Sequence, residues 1–489
     1  MAKTQKRTKI VCTIGPASAS PENIEALLKA GMNVARLNFS HGTHEEHAEL
    51  IKRLRAASEK LEVPLAILQD LQGPKIRVGE LPKDGIQLEA GKRVIFTTRS
   101  VQVPVGANDD SPLPVTYAKL HEDVKPGEKL LLDDGLLSVK VLEVKGQDVI
   151  CEVVDGGLLT SHKGLNLPET NVTVSSMSDK DKDDLKFGVT QNVDWVALSF
   201  VRTAKEIYDL RYLIKQYEEE LGIKLGSRHP IRLIAKVEKH EAVENIDEIL
   251  VAVDGIMVAR GDLGIEMPAE EVPLIQKMLI DKCLAAAKPV IVATQMLDSM
   301  IRNPRPTRAE VSDVANAVID HTDAVMLSGE TASGKHPVEA VEMMAKIIRE
   351  TEDSVYDDME VERFRKRHET TEEAVSEVAK ILARDVKAKA ILVASMSGDT
   401  GRMVSRYRPD MPIYTATDEE RVYRQLNLSW GVMPFLLPRC NTVEELVERS
   451  MGYLKKKKLI APQDKIIVVA GEPVGVSGRV NLLEIREAV

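Results

Sequence analysis

Ile231-Arg-Leu-Ile-Ala-Lys-Val237, Gly255-Ile-Met-Val-Ala259, Pro289-Val-Ile-Val-Ala293 and Asp323-Ala-Val-Met-Leu327 decide the fold of this chain. Each is a short apolar run, and amphipathic segments of helical period separate them, which is the pattern of repeated βα units around a parallel sheet. Upstream, Thr8 to Ile14, Asn33 to Phe39, Pro64 to Asp70 and Val193 to Phe200 continue the rhythm and bring the count to eight. The segment Pro21 to Ala30 shows the helical half of a unit, with Ser20 as cap and proline at the first helical position. Eight βα units predict a closed (β/α)8 barrel.

The rhythm breaks between the third and fourth runs. Gly73 to Pro168 is rich in Pro, Gly and short Val-rich segments, among them Arg93 to Thr97, Val139 to Val144 and Val149 to Val154, and it predicts a small inserted β-barrel. Gly73-Pro74 and Leu167-Pro168 punctuate its ends as hinges would, so a lid and a passive insert are both open readings. After Glu350 the acidic run Thr351 to Glu362 marks a boundary. Beyond it Ala390 to Ala394, Pro412 to Ala416, Val432 to Leu436 and Lys465 to Ala470 predict a further α/β domain. The expected division is therefore 1–72 with 170–350 for the barrel, 73–169 for the insertion and 351–489 for the last domain. Lys455 to Lys458 is the one conspicuous basic block and reads as a solvated helix end.

At 489 residues and about 150 residues per domain, about three domains are expected. Hydrophobic residues at 43% and charged residues at 29% are ordinary globular usage, which disfavours disorder, collagen and coiled coil. Lys plus Arg number 66 against 76 Asp plus Glu, and the net charge of −10 argues against nucleic acid or an anionic membrane as partner. Aromatics at 3% leave little for stacking single-stranded bases. Cys12, Cys151, Cys283 and Cys440 form no CxxC pair, so a reducing, cytoplasmic setting is expected. No signal peptide precedes Gly15-Pro16, and no apolar run approaches the roughly 18 residues of a membrane span.

In a (β/α)8 barrel the site forms at the carboxyl ends of the strands. Here those ends are polar: Arg36, Asn38, Ser40 and His41 after the second, Asp70 after the third, Lys236 and Glu238 at the fifth, Arg260, Gly261 and Asp262 at the sixth, Thr294 and Gln295 at the seventh, and Ser328 to Thr331 at the eighth. Taken singly, Lys236 and Glu238 could be a rim ion pair, Asp262 a helix cap, and Thr294 an ordinary β-former. Together they offer an ammonium, carboxylates, a hydroxyl and backbone amides, a set suited to Mg2+ held by few protein oxygens beside an anionic substrate. Zinc would want His or Cys, and these positions offer neither.

The strings Ile14-Gly-Pro-Ala-Ser18, Arg36-Leu-Asn-Phe-Ser-His-Gly42, Asp70-Leu-Gln-Gly-Pro-Lys-Ile-Arg77, Lys163-Gly-Leu-Asn-Leu-Pro168, Val258-Ala-Arg-Gly-Asp-Leu-Gly264, Ala293-Thr-Gln-Met-Leu297 and Ser328-Gly-Glu-Thr-Ala332 closely resemble the pyruvate kinases, in the family's order and across essentially the whole chain. The resemblance implies transfer of the phosphoryl group of phosphoenolpyruvate to ADP, giving pyruvate and ATP. It places Glu238 and Asp262 as ligands of Mg2+ or Mn2+, the amides of Gly261 and Asp262 at the substrate carboxylate, and Lys236 at the moving phosphoryl group and the enolate. It places Thr294, with Ser328, on the proton path to pyruvate, Arg36 and Arg77 at the phosphates, and Pro16, Asn38 and His41 on the nucleotide side. One departure stands out: where the family often reads Phe-x-Arg-Lys, this chain has Phe200-Val-Arg-Thr203, so a basic nucleotide contact is missing.

Two competing functions are another barrel enzyme of phosphoenolpyruvate, such as a mutase or aldolase, against which the lid-like insertion speaks, and a non-catalytic metabolite sensor, against which Lys236, Glu238, Asp262 and Thr294 speak. The resemblance further implies an allosteric homotetramer. Ser395, Ser397, Gly398 and Thr400, with the glycine-rich stretch Gly471 to Gly478, are expected to cradle a phosphorylated effector, and Asp399 turns the expectation towards a monophosphate. Many relatives bind K+ at positions matching Asn38, Ser40, Asp70 and the backbone of Leu71, followed by Thr-Lys-Gly-Pro-Glu. This chain has Leu71-Gln-Gly-Pro-Lys75, and the Lys75 ammonium is expected to stand in for the ion, so K+ is not required.

Overall fold

The computed structural model describes every residue except 1–5, 105–110, 171, 174–175, 224–228, 358–369, 396, 472–479 and 489. Eight parallel strands close into a barrel: Lys9–Thr13, Val34–Asn38, Ala66–Asp70, Trp195–Leu198, Arg232–Val237, Gly255–Ala259, Val290–Ala293 and Ala324–Leu327. They are called barrel strands one to eight below. Neighbours in the chain are neighbours in the sheet, and Lys9 opposite Ala324 with Cys12 opposite Leu327 seals the ring. Every expected run holds its strand, trimmed at the ends by up to two residues. No helix is long and apolar enough to cross a membrane among the described residues.

The barrel interior is filled by Val11, Val34, Leu68, Trp195, Ile234, Met257, Ile291 and Met326, together with Leu428, which enters from the last α/β unit. A larger apolar layer lies between the strands and the surrounding helices. Local capping explains where those helices start: Ser20 accepts from the Asn23 amide, and Thr43 with Glu46, Ser178 with Asp181 and Thr307 with Glu310 form reciprocal capping boxes. Gly188 is required by close approach, because a Cβ there would stand 1.9 Å from Gln69 Oε1 on barrel strand three.

One device repeats at the barrel floor. The residues immediately before strands four, six and eight are Asp194, Asp254 and Asp323, and each accepts an amide of the preceding strand: Ile67 at 2.8 Å, Leu233 at 2.9 Å and Val290 at 3.2 Å. Each carboxylate is also held by arginine: Asp194 by Arg55 and Arg424, Asp254 by Arg211 and Arg232, Asp323 by Arg408. Arg408 and Arg424 come from the last α/β unit, so the ions that order the floor also fasten that unit to it.

Between barrel strands three and four lies the insertion, whose strands form a six-stranded sheet and a two-stranded sheet around a separate core that includes Val78, Phe96, Val139 and Val149. Bridges Arg77 to Gly164 and Val78 to Val115 tie its edges together. Gly73, at its entry, has φ +71°, and a Cβ there would meet Phe200 and Ser199 at 2.9 Å, so glycine is the residue that fits this turn.

The last α/β unit has a five-stranded sheet in the order Val432–Leu436, Ile413–Thr417, Ala390–Ala394, Lys465–Ala470, Leu482–Glu487. Four strands are parallel and the last is antiparallel. That fifth strand was not expected, since Leu-Leu-Glu-Ile-Arg-Glu carries too few apolar residues to read as a buried run. Lys455 and Lys456 end the helix Val443–Lys456, and Lys457 reaches Glu62 at 2.6 Å.

Candidate active site

Lys236 lies on barrel strand five with its side chain turned to the mouth. Its ammonium is 2.8 Å from Glu238 Oε1 and 3.5 Å from Asp70 Oδ1, and it donates to Ser199 Oγ at 2.8 Å. Burial alone would lower its pKa, but Asp70 and Glu238 outweigh burial and hold the ammonium above its ordinary value. Asp70 feels burial in the opposite sense, and Lys236 with Arg36 brings its carboxyl below the usual range. Arg36 Nε donates to Asp70 Oδ2 at 2.6 Å and its Nη1 to Thr13 Oγ1 at 2.8 Å. The result is a chain of alternating charges across strands two, three and five.

Glu238 is buried, and its second oxygen accepts the Phe200 amide at 2.7 Å. Burial pushes its carboxyl above the usual range, Lys236 opposes that, and Asp262 adds to it. Two carboxylates that feel each other's charge in this way fit a shared divalent cation, which would relieve their repulsion. Among the described residues no cluster of three or more His, Cys, Asp or Glu is placed to hold a metal, so the remaining ligands would be substrate and water oxygens. The donors are hard oxygens, as Mg2+ or Mn2+ requires.

Thr294 sits just past strand seven with φ +72°, followed by Gln295 at +54°, a costly backbone for a β-branched residue. Its Oγ1 donates to the Ala293 carbonyl at 2.6 Å and accepts the Gly261 amide at 2.8 Å. The expectation of a free Gly261 amide is therefore corrected: that donor is engaged by the neighbouring hydroxyl. Gly261 lets the two strand ends approach, since a Cβ would stand 3.4 Å from Thr294 Oγ1. Arg260 braces the turn, donating to the Thr294 carbonyl at 2.7 Å and pairing with Asp313 at 2.7 Å. Asp262 is the third residue of the helix Arg260–Glu266 rather than its cap. Ser328 caps the short helix Gly329–Ala332, and its amide donates to Glu330 Oε2 at 2.7 Å.

The other expected residues lie further out. Asn38 Oδ1 accepts the Ser40 amide at 3.2 Å, and the Leu71 carbonyl accepts from Ser199 Oγ at 2.8 Å. Pro16 and His41 are exposed on the turns after strands one and two. Arg77 belongs to the insertion, where its guanidinium donates to the His162 carbonyl at 2.9 Å, so the structure does not bring it beside Arg36. That cleft, about 470 Å³, is lined by Lys75, Asn166, Phe200, Arg202 and Lys239 among others. Asn166 of the insertion donates to Glu266 Oε1 at 3.0 Å, an oxygen shared with the Lys239 ammonium at 2.7 Å. Thr203, where a lysine was missed, is the N-cap of the helix Ala204–Glu220, its amide donating to Glu206 Oε2 at 3.2 Å. Lys75 and Lys239 bring two ammonium groups to the same cleft.

In the last unit Gly398 has φ +80° and caps the helix Asp399–Ser405, while Thr400 Oγ1 donates to Glu372 at 3.2 Å. Asp399 is paired with Arg402 and, at 3.2 Å, with Arg232. Burial opposes its charge, but these guanidinium groups hold it far below the usual carboxylate range. The repulsion that favoured a monophosphate is therefore largely offset. Met396 and most of the stretch Gly471 to Gly478 lie outside the described residues. Sequence reasoning missed Ser199, Thr13 and the Lys239–Glu266–Asn166 contact. Ser199 alone had a signal, being a polar residue at the end of strand four.

A (β/α)8 barrel whose strand ends present a buried ammonium between carboxylates, under an inserted β unit, defines an enzyme that works on anionic substrates at the barrel mouth. A family model described as pyruvate kinase, barrel domain, matches residues 5–341, and one described as pyruvate kinase, alpha/beta domain, matches 373–486. The pyruvate kinase of Geobacillus stearothermophilus is 45% identical over 485 residues, covering 99% of this chain and 80% of that one. That of Clostridium acetobutylicum is 43% identical over 482 residues, covering 98% and 99%. A crystal structure of a pyruvate kinase from Cryptosporidium parvum superposes with a TM-score of 0.91 at 36% identity, covering 99% of this chain and 97% of that one. The chain belongs to the pyruvate kinase family.

Proposed function

We propose that the chain transfers the phosphoryl group of phosphoenolpyruvate to ADP, giving pyruvate and ATP in glycolysis, at the mouth of the barrel formed by 1–72 and 170–350. The observation that carries this is the Lys236 ammonium, fixed by Glu238, Asp70 and Ser199 where negative charge moves in phosphoryl transfer. A charge held in place before reaction stabilises the transition state without reorganisation. Glu238 and Asp262 are the residues that would hold Mg2+ or Mn2+, and the ion would supply further neutralisation at the phosphate oxygens.

Arg36, aligned by Asp70 and Thr13, orients the phosphoryl group, with Arg77 approaching from the insertion. The Gly261 and Asp262 amides face the substrate carboxylate once it takes over the donor that Thr294 now holds. Thr294 Oγ1, supported by Ser328, then passes a proton to the enolate carbon. Pro16, Asn38 and His41 lie on the nucleotide side, where Lys75 and Lys239 supply the charge that Thr203 lacks. The insertion 73–169 acts as a lid over this cleft, and Lys75 replaces K+ beside Asn38, Ser40, Asp70 and Leu71.

The last unit, 351–489, binds a phosphorylated effector at Ser395, Ser397, Gly398 and Thr400. Assembly as a homotetramer is supported by the strand Leu482–Glu487, whose outer edge is unpaired among the described residues. Four buried free cysteines support a cytoplasmic setting. A coupled assay supplying phosphoenolpyruvate, ADP and Mg2+ tests the function: pyruvate and ATP should appear in equal amounts, and pyruvate without ATP would overturn it.

A further inference from the structure

A second charged cavity lies at the opposite end of the barrel, where the floor meets the last α/β unit. It is open to solvent, spans about 210 Å³ with that solvent space included, and is lined by Cys283, Lys288 and Asp323 on the barrel side and by Arg402, Arg406, Arg408 and Ser429 on the other. We propose that this cavity is an anion site for a phosphate group, held by Arg402, Arg406, Arg408 and Ser429.

The donors there are incompletely used. Arg402, Arg406, Arg408 and Ser429 are 7%, 8%, 4% and 1% exposed, yet Arg402 Nη1, Arg406 Nε, Arg408 Nε and Ser429 Oγ have no hydrogen-bond partner. A buried donor left unmade costs about 1–3 kcal/mol, more when charged, so four together mark a position where a partner belongs. The rest of each group is anchored, which fixes the directions of the free donors. Arg402 Nη2 holds the Ser397 carbonyl at 3.1 Å and the Asp399 carboxylate; Arg406 Nη1 holds Glu373 at 3.3 Å; Arg408 holds the Ser405 carbonyl at 2.8 Å and the His321 carbonyl at 2.7 Å.

Charge points the same way. Four cations line the cavity against one carboxylate, Asp323, and that carboxylate already accepts Arg408 at 3.0 Å and the amides of Trp430 and Val290. Lys288 is turned onto the Val253 carbonyl at 2.7 Å and adds charge rather than a free donor. Burial, and then the nearby Arg232, push Arg402 down to about 10 against the pull of Asp399. Arg402 lies on the helix Asp399–Ser405, Arg406 and Arg408 just past its end, and Ser429 on a separate segment, so donors from two parts of the chain line one cavity, as a phosphate with several acceptor oxygens can use. Cys283, Leu284 and Ala287 form an apolar wall, so a monoester would carry its remaining group on the open side.

The site adjoins the effector loop at Arg402, whose Nη2 holds the Ser397 carbonyl at 3.1 Å and whose Nη1 would stand 3.1 Å from a Gly398 Cβ, and parts from it at Arg406, Arg408 and Ser429. Thr400 is turned to Glu372, away from the barrel, whereas the Arg402 guanidinium is turned to the barrel residue Arg232 through their shared Asp399.

The test uses the full chain and inorganic phosphate, with chloride matching ionic strength, and counts bound phosphate by equilibrium dialysis. Arg406→Gln and, as the milder variant, Ser429→Ala should each lose one bound phosphate per chain or weaken it by at least about tenfold. A Ser397→Ala, Thr400→Ala double variant should keep that phosphate. Competition by glycerol phosphate assigns the site to a monoester and its failure to free phosphate, and both are supporting results. Unchanged binding in Arg406→Gln and Ser429→Ala, with both folded by thermal unfolding, overturns the proposal and leaves ordered water as the partner of these donors.

Discussion

The Gly261 amide donates to Thr294 Oγ1 at 2.8 Å, tying the start of the helix after barrel strand six to the strained turn after strand seven. On the proposed function one hydroxyl does two jobs, holding the Gly261 amide and carrying the proton that completes pyruvate. Thr294→Ala should leave phosphoryl transfer near normal and slow proton delivery to the enolate. In a single-turnover quench, ATP should form at close to the parent rate while pyruvate lags, and equal slowing of both would reject the division.

Lys236→Met removes the ammonium between Asp70 and Glu238. Loss of one preorganised donor costs about 10²–10³ in kcat in comparable charge-stabilising sites, and a loss of that order is expected here. The substitution also leaves two buried carboxylates without their cation, so the acid limb of the pH–rate profile should move upward. Near-normal turnover at neutral pH would sink the assignment.

Glu238 has its carboxyl raised by burial, against Lys236 and with the help of Asp262. Its protonated form cannot ligate a cation, so the Mg2+ concentration for half-maximal activity should rise as pH falls through the raised value. Glu238→Gln should raise that concentration at every pH and flatten its pH dependence. The linkage sign gives a second check. A carboxyl raised in the folded state contributes stability below its unfolded pKa and loses it as pH rises through the folded value. Metal-free Glu238→Gln should therefore melt at or above the parent temperature at neutral pH and gain nothing in acid.

The barrel was legible because its strands are buried on both faces, so eight apolar runs stand out even where their ends shift by a residue or two. The strand-end residues were legible for a related reason: a charge such as Lys236 inside an apolar run has no place in a core. The Asp194, Asp254 and Asp323 floor was not legible, because an aspartate before a strand looks like any turn residue until Arg424 and Arg408, more than 80 positions away, are brought to it. The strained φ of Thr294 was equally hidden, since threonine is an ordinary strand former. The strand Leu482–Glu487 escaped because half of it faces solvent.

Asp194 tests that floor. It is fully buried, accepts the Ile67 amide, and meets Arg55 at 2.8 Å and Arg424 at 2.7 Å. Removing one partner of a buried ion pair costs about 3–5 kcal/mol because the other charge is left uncompensated. Arg424→Ala should lower the urea midpoint accordingly, whereas a surface change such as Lys457→Ala, which breaks an exposed pair with Glu62, should leave it nearly unchanged. Equal small effects would show that the floor ions do not fasten the last unit.

Lys75 bears on the monovalent cation. The oxygens that would hold K+ are engaged by the protein: Asp70 Oδ2 by Arg36 at 2.6 Å, Asp70 Oδ1 by Lys236 at 3.5 Å, Asn38 Oδ1 by the Ser40 amide, and the Leu71 carbonyl by Ser199. Lys75, which lines the cleft, has no ion-pair partner among the described residues. Its amide closes on the Gly73 carbonyl at 2.9 Å, and its Cε lies 3.5 Å from where a Gly164 Cβ would stand. The Lys75 backbone is thus fixed, and its side chain lines the cleft that Asn166, Phe200 and Lys239 also line. On the proposed function, a charge there would supply at closure what a bound cation otherwise brings. Turnover should be the same in potassium and in tetramethylammonium buffer at matched ionic strength. Lys75→Glu should lower kcat by about tenfold or more, and added K+ should restore part of it. Strong activation of the unmodified enzyme by K+ would show that the lysine does not stand in for the ion.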